Sequence, residues 1–194
     1  MNAAPKIPDF MTADAFLDWN APGPELWQLV DGAPIAMAPA SRTHGAIQSE
    51  LARRIGNHLI EKGSPCSVVT TPGVIPRVRA DVNVRIPDLA VICSGYAVEE
   101  TALKDPVLLI EILSPSNRAE TWSNVWTYTT IPSVTEIAVV RTQEIGVEFL
   151  RRAADGSWPE LPTLVTAGDA TFESVGLTLA VEQIYRTTRL YAGS

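Results

Sequence analysis

Two stretches decide how this chain is read: Val84-Arg85-Ile86-Pro87-Asp88-Leu89-Ala90-Val91-Ile92 and, one element later, Val107-Leu108-Leu109-Ile110-Glu111-Ile112-Leu113. Both are short, nearly continuous apolar runs, the pattern of strands covered on both faces in the middle of a sheet. Each carries one carboxylate inside it. A buried carboxylate is costly unless a cation or hydrogen bonds compensate it, so Asp88 and Glu111 together call for a metal ion or a polar network.

Downstream of Glu111, Ser114-Pro115 closes the strand and Asn117 precedes a helix expected over 118–130. Trp122, Val125, Trp126 and Thr129 fall on one face of it, while Glu120, Asn124 and Tyr128 form a polar stripe on another. Ile131-Pro132-Ser133 ends the helix. A strand over 134–141, its hairpin partner over 145–152, short edge strands near 161–165, 170–172 and 177–179, and a last helix over 181–185 complete the chain.

Upstream, β-branched residues mark a strand over 67–71, and 74–92 reads as two strands joined near Ala80-Asp81. Ile47, Leu51, Ile55 and Leu59 recur every fourth position, which predicts an amphipathic helix over 44–62 capped by Ser41 or Thr43. His44 stands in its first turn and Gln48 one turn later, so both can point past the helix end toward a cleft; a capping or surface histidine is the alternative. Asp31-Gly32 is the turn of a hairpin over 25–37, and Thr12 caps a short helix over 13–19. The order of elements predicts an α/β (α+β) fold: a mixed central β-sheet flanked by helices, with an N-terminal hairpin, additional C-terminal strands and one domain over 1–194.

The chain has 194 residues, 46% of them hydrophobic and 19% charged, enough for a sizeable core. No run approaches the ~20 apolar residues that span a bilayer, and Met1 to Lys6 lack the apolar region of a signal peptide. A cytoplasmic protein with no membrane partner is the expectation. Cys66 and Cys93 are too few for a disulfide scaffold and read as small buried fillers. The net charge of −7 weighs against a general electrostatic grip on nucleic acid. Arg77, Arg79 and Arg85 make either a local basic ribbon or a solvated hairpin face. Exposed edge strands and the five tryptophans suggest a homodimer.

The motifs occur in a telling order. Trp27-Gln28-Leu29-Val30-Asp31-Gly32 comes first, then Pro39-Ala40-Ser41 with His44, Ile86-Pro87-Asp88-Leu89-Ala90-Val91, and Ile110-Glu111-Ile112-Leu113-Ser114-Pro115-Ser116. Glu120, Asn124 and Tyr128 follow, then Ile131-Pro132-Ser133-Val134. This order resembles the Uma-two family of restriction-endonuclease-like proteins, over nearly the whole chain and most closely from Pro87 to Val140. The resemblance implies the PD-(D/E)XK nuclease fold, with Asp88 and Glu111 as ligands of Mg²⁺ or Mn²⁺ and the Ile112 carbonyl as a third ligand. It also implies a phosphodiester of DNA as substrate, and it makes His44 a candidate for the cleft.

The chain departs from that pattern at three places. The resemblance implies a lysine two residues after the glutamate or, moved to the following helix, four residues before Tyr128. Here these positions hold Leu113 and Asn124, neither of them cationic. Asparagine can hold a water but cannot supply charge. Gln28 stands where relatives often carry a glutamate that helps hold a second metal. Two functions follow: a metal-dependent endonuclease in which Asn124 or Gln28 positions water, with Arg118 either supplying charge or lying free on the surface, or a catalytically inactive nuclease fold that binds nucleic acid or protein.

Overall fold

The computed structural model describes residues 7–95 and 97–191; the Met1 to Lys6 stretch lies outside them. Thr12 caps α1 (Ala13–Leu17) by accepting from the Ala15 N–H at 3.2 Å. The hairpin β1 (Trp27–Val30) and β2 (Ala33–Ala36) turns at Asp31-Gly32, where both residues have positive φ. Helix α2 (Arg42–Glu61) starts at Ser41, whose hydroxyl accepts from the His44 N–H at 3.2 Å. Its Ile47, Leu51, Ile55 and Leu59 are all buried.

Strand β3 (Ser67–Thr70) is followed by the two-residue β4 (Gly73–Val74), a 3-10 turn at Ala80–Val82 and β5 (Leu89–Ile92). The two strands expected over 74–92 are thus largely irregular backbone. Val84 and Arg85 make only isolated bridges, to Leu29 and Val74. Asp88 stands one residue before β5 rather than within a strand. Pro87, with no N–H for a ladder, suits this approach to the sheet. After β6 (Ala102–Leu103) comes β7 (Pro106–Leu113), then α3 (Arg118–Tyr128), β8 (Glu136–Arg141) and β9 (Val147–Arg151). The chain ends in β10 (Thr163–Val165), β11 (Asp169–Phe172), β12 (Leu177–Ala180) and a 3-10 turn at Val181–Tyr185.

The central sheet has the order β10-β9-β8-β7-β5-β3. Only β7 and β8 run parallel, joined by the crossover through α3; every other neighbouring pair is antiparallel. Alternation along the strands divides the core. Leu108, Ile110 and Ile112 pack toward α2, and Leu109 and Leu113 pack toward α3 with Val125 and Tyr128. A third cluster joins α1 to the hairpin through Phe16, Leu29, Val84 and Ile86. The α/β (α+β) expectation, mixed sheet and added terminal elements included, holds.

Two further expectations change. Cys66 and Cys93 are not separate fillers: they sit opposite each other at the ends of β3 and β5 and are joined in a disulfide, both half-buried. The ribbon of arginines does not form either. Arg77 is exposed, Arg79 is exposed and paired with Asp31, and Arg85 is buried with its Nη1 donating to the Leu29 carbonyl at 2.8 Å.

Candidate metal and phosphodiester site

Leu89 pairs with Ile110 at the last antiparallel step between β5 and β7. Beyond it the two strands part, and the β5-facing edge of β7 loses its backbone partner. Asp88 fills that gap: its Oδ2 accepts the Ile112 N–H at 2.7 Å. In an extended strand the N–H and C=O of one residue leave on the same side, so the Ile112 carbonyl shares this edge. Asp88 Oδ1 lies 2.7 Å from His44 Nε2, delivered by the first turn of α2. One turn later Gln48 Nε2 donates to the Asp88 carbonyl at 2.9 Å. His44 therefore both stands in the first turn of the helix and faces the carboxylate across the cleft.

Glu111 leaves β7 on the opposite face, toward α3. Its Oε1 accepts the Tyr128 hydroxyl at 2.6 Å, and Asn124 also reaches it. Asn124 Nδ2 donates to Gln28 Oε1 at 3.3 Å, and Gln28 Nε2 donates to Glu120 at 2.5 Å. Gln28 is fully buried behind the site. The polar stripe of α3 is thus its working face: Asn124 and Tyr128 are buried, whereas Trp126, expected on the packing face, is 43% exposed. The stripe Glu120, Asn124, Tyr128 was the readable signal for this network.

A cleft of about 430 Å³ opens over these groups, lined by Asp88, Glu111, His44, Gln48, Asn124 and Glu120, with Thr71 and the apolar Leu26 and Met37 at other walls. Thr71, Ser114 and Asn117 were not singled out from the sequence as site residues. Thr71 was hidden by its place in a strand signal. Arg118 lines a separate small pocket beside Arg141 and Thr142, and Leu113 is buried in the core on the α3 side.

Burial pushes the Glu111 carboxyl well above the ordinary glutamate range, and the neighbouring Asp88 charge adds to the rise; the Tyr128 and Asn124 hydrogen bonds oppose it. The Tyr128 hydroxyl is likewise raised well above its ordinary value, first by burial and then by Glu111. A buried carboxylate raised by burial and by a second carboxylate in the same cleft fits a hard divalent cation, which takes one or two carboxylates and completes its shell with water and phosphate oxygens. Among the described residues no group of three His, Cys, Asp or Glu side chains is placed to hold a metal. Asp88, Glu111 and the Ile112 carbonyl are the oxygens here that could meet such an ion, which falls short of a closed protein cage.

The model of the Uma2 family, described as "Putative restriction endonuclease", matches residues 13–182. The chain belongs to that family. A solved structure described as a "putative nuclease belonging to DUF820 from Anabaena variabilis ATCC 29413" superposes with a TM-score of 0.73 at 18% identity, covering 91% of this chain and 98% of that one. It shares the fold. No curated protein matches. Among the described residues no helix is long and apolar enough to cross a membrane.

Proposed function

We propose that this Uma2-family chain is a divalent-metal-dependent endonuclease acting on DNA, with Mg²⁺ or Mn²⁺ held by Asp88, Glu111 and the Ile112 carbonyl. The observation that carries the reading is Glu111 itself: 6% exposed, in contact only with neutral donors, and beside a second carboxylate. Burial of that kind is costly without a cation. When bound, the ion would supply Lewis acidity toward a phosphate oxygen and a water of lowered pKa.

The chain's own residues orient the reaction. The Ile112 N–H and His44 fix both oxygens of Asp88, and the Tyr128 hydroxyl fixes one oxygen of Glu111. Asn124 holds the attacking water by hydrogen bonding, in the place where a lysine would add charge, and Gln28 holds Asn124. Leu26 and Met37 wall the cleft with apolar surface that limits access of bulk water. The net charge of −7 disfavours a broad electrostatic footprint on DNA, so binding is local to the cleft. A homodimer through the outer strand β10, with Leu164 exposed in it and Leu161 exposed just before it, supplies a second site. Cytoplasmic DNA is the substrate this reading implies.

The uncharged pair Leu113 and Asn124 favours one other reading, a catalytically inactive nuclease fold that binds nucleic acid or protein. Incubation with Mn²⁺ and single- or double-stranded DNA separates the two. The endonuclease reading expects cleavage that is absent from the Asp88→Ala, Glu111→Ala double variant. Metal binding with no cleavage above the double variant selects the binding module.

A further inference from the structure

Thr71 stands where β3 leaves the central sheet, and its φ is +48°. Left-handed backbone crowds Cβ, and a β-branched residue there is a genuine outlier. The next residue is Pro72, whose ring pushes the residue before it toward extended, negative-φ backbone. Two local preferences are overridden at one position. Glycine would make this turn without strain, as it does at Gly32 and Gly63 of the same chain.

The conformation is held from the site. The Thr71 N–H donates to the Asp88 carbonyl at 3.1 Å, the same oxygen that accepts from Gln48. The other described non-glycine residues with positive φ, Asp31, Arg79 and Asp105, are exposed and line no part of the cleft. Thr71 alone among them is β-branched, and it lines the cleft together with Asp88 and Glu111. Strain that the surrounding structure over-determines at a cleft points to a use for the side chain.

We propose that Thr71 is a substrate-contacting residue: its hydroxyl donates a hydrogen bond to a non-bridging oxygen of the phosphodiester lying over Asp88 and Glu111. The assignment rests on the endonuclease reading. A phosphate entering a cleft floored by carboxylates needs donors that face it, and a hydroxyl on a fixed turn supplies one without a flexible side chain to order.

The test uses the full chain, Mn²⁺ and a linear DNA duplex, with Thr71→Val, Thr71→Ser and Thr71→Gly. Valine keeps the shape and removes the hydroxyl; kcat/KM falls about 10- to 100-fold, the range of a hydrogen bond to a charged group. Serine stays within about threefold of wild type, because the donor is retained. Glycine loses rate as valine does while its Tm equals or exceeds that of wild type, since the strain is gone. Wild-type rates for both Thr71→Val and Thr71→Gly overturn the assignment and leave the endonuclease reading standing, as does a serine variant that falls as far as valine. A wild-type protein that binds Mn²⁺ and cuts no duplex overturns both.

Discussion

Four glutamates are buried in the described part of the molecule, and they fall into two groups. Glu136 and Glu148, on β8 and β9, and Glu50 on α2 each meet arginine. Arg151 reaches Glu136 at 2.9 Å, Arg141 reaches Glu148 at 2.8 Å, and Arg53 and Arg54 both hold Glu50 at 2.7 Å. Glu136 also accepts from the Ser174 N–H and hydroxyl. Glu111, one strand away, meets Tyr128, Asn124 and the charge of Asp88. The pKa directions separate accordingly. Burial raises Glu50 and Glu111 alike, but at Glu50 the arginines outweigh it and hold the carboxyl low, whereas at Glu111 nothing cationic does. Arg85, the buried arginine among the described residues, spends its Nη1 on the Leu29 carbonyl instead. This chain neutralises its structural carboxylates from within. Under the proposed function, the cleft carboxylate awaits a charge from outside.

Substitutions that exchange the two situations should behave oppositely. Glu111→Gln is expected to lower DNA cleavage more than about 100-fold, by removal of a metal ligand, while raising the metal-free Tm because a buried, repelled charge disappears. Both are read from a duplex-cleavage assay and a thermal melt of one preparation. Glu136→Gln should do the reverse. It strips Arg151, which is partly exposed, of its buried partner and leaves it only the exposed Glu173 at 3.2 Å, which costs about 2–3 kcal/mol, a Tm drop of about 5–10 °C for a chain of this size, with the metal response intact.

Asn124→Lys would give Glu111 the kind of partner Glu136 already has. Cleavage should rise about 10-fold, the low end of what a charged stabiliser contributes, and the metal-free protein should melt higher. A rate unchanged or lower would show that the amide is what the site uses.

The smallest effect is in the pH dependence of the metal-free protein. Glu111 has a raised folded-state pKa, so its contribution to stability is full below the ordinary glutamate value and is lost as pH rises through the folded value. Thermal melts of wild type minus Glu111→Gln across that window should show a falling difference, and saturating Mg²⁺ should flatten it. Glu50, with its pKa lowered, contributes in the opposite sense: its stabilisation is lost as pH falls through its folded value.

Much of this site was legible in the sequence because a carboxylate inside an apolar run is conspicuous. Glu111 within β7, Asp88 beside Pro87, and His44 at the capped start of α2 all meet in the cleft. Helix α3 shows where such reading fails. Apolar periodicity assigns Trp122 and Trp126 to the packing face; Trp122 packs on the core, but Trp126 is exposed, because the helix turns Asn124 and Tyr128 inward, where Tyr128 donates to the buried Glu111. Arg85 was unreadable for a similar reason: its partner is a backbone carbonyl, which leaves no trace in residue identity. The Cys66–Cys93 bond depends on the β3–β5 register, a long-range pairing that residue counting does not reveal.

The most direct test of the contrast is calorimetric titration of Mn²⁺ and Mg²⁺ into wild type, Glu111→Gln and Glu136→Gln at neutral pH. The account predicts saturable binding to wild type and Glu136→Gln and none to Glu111→Gln. Binding that survives Glu111→Gln, or is absent from wild type, would contradict the claim that this buried carboxylate awaits an external cation.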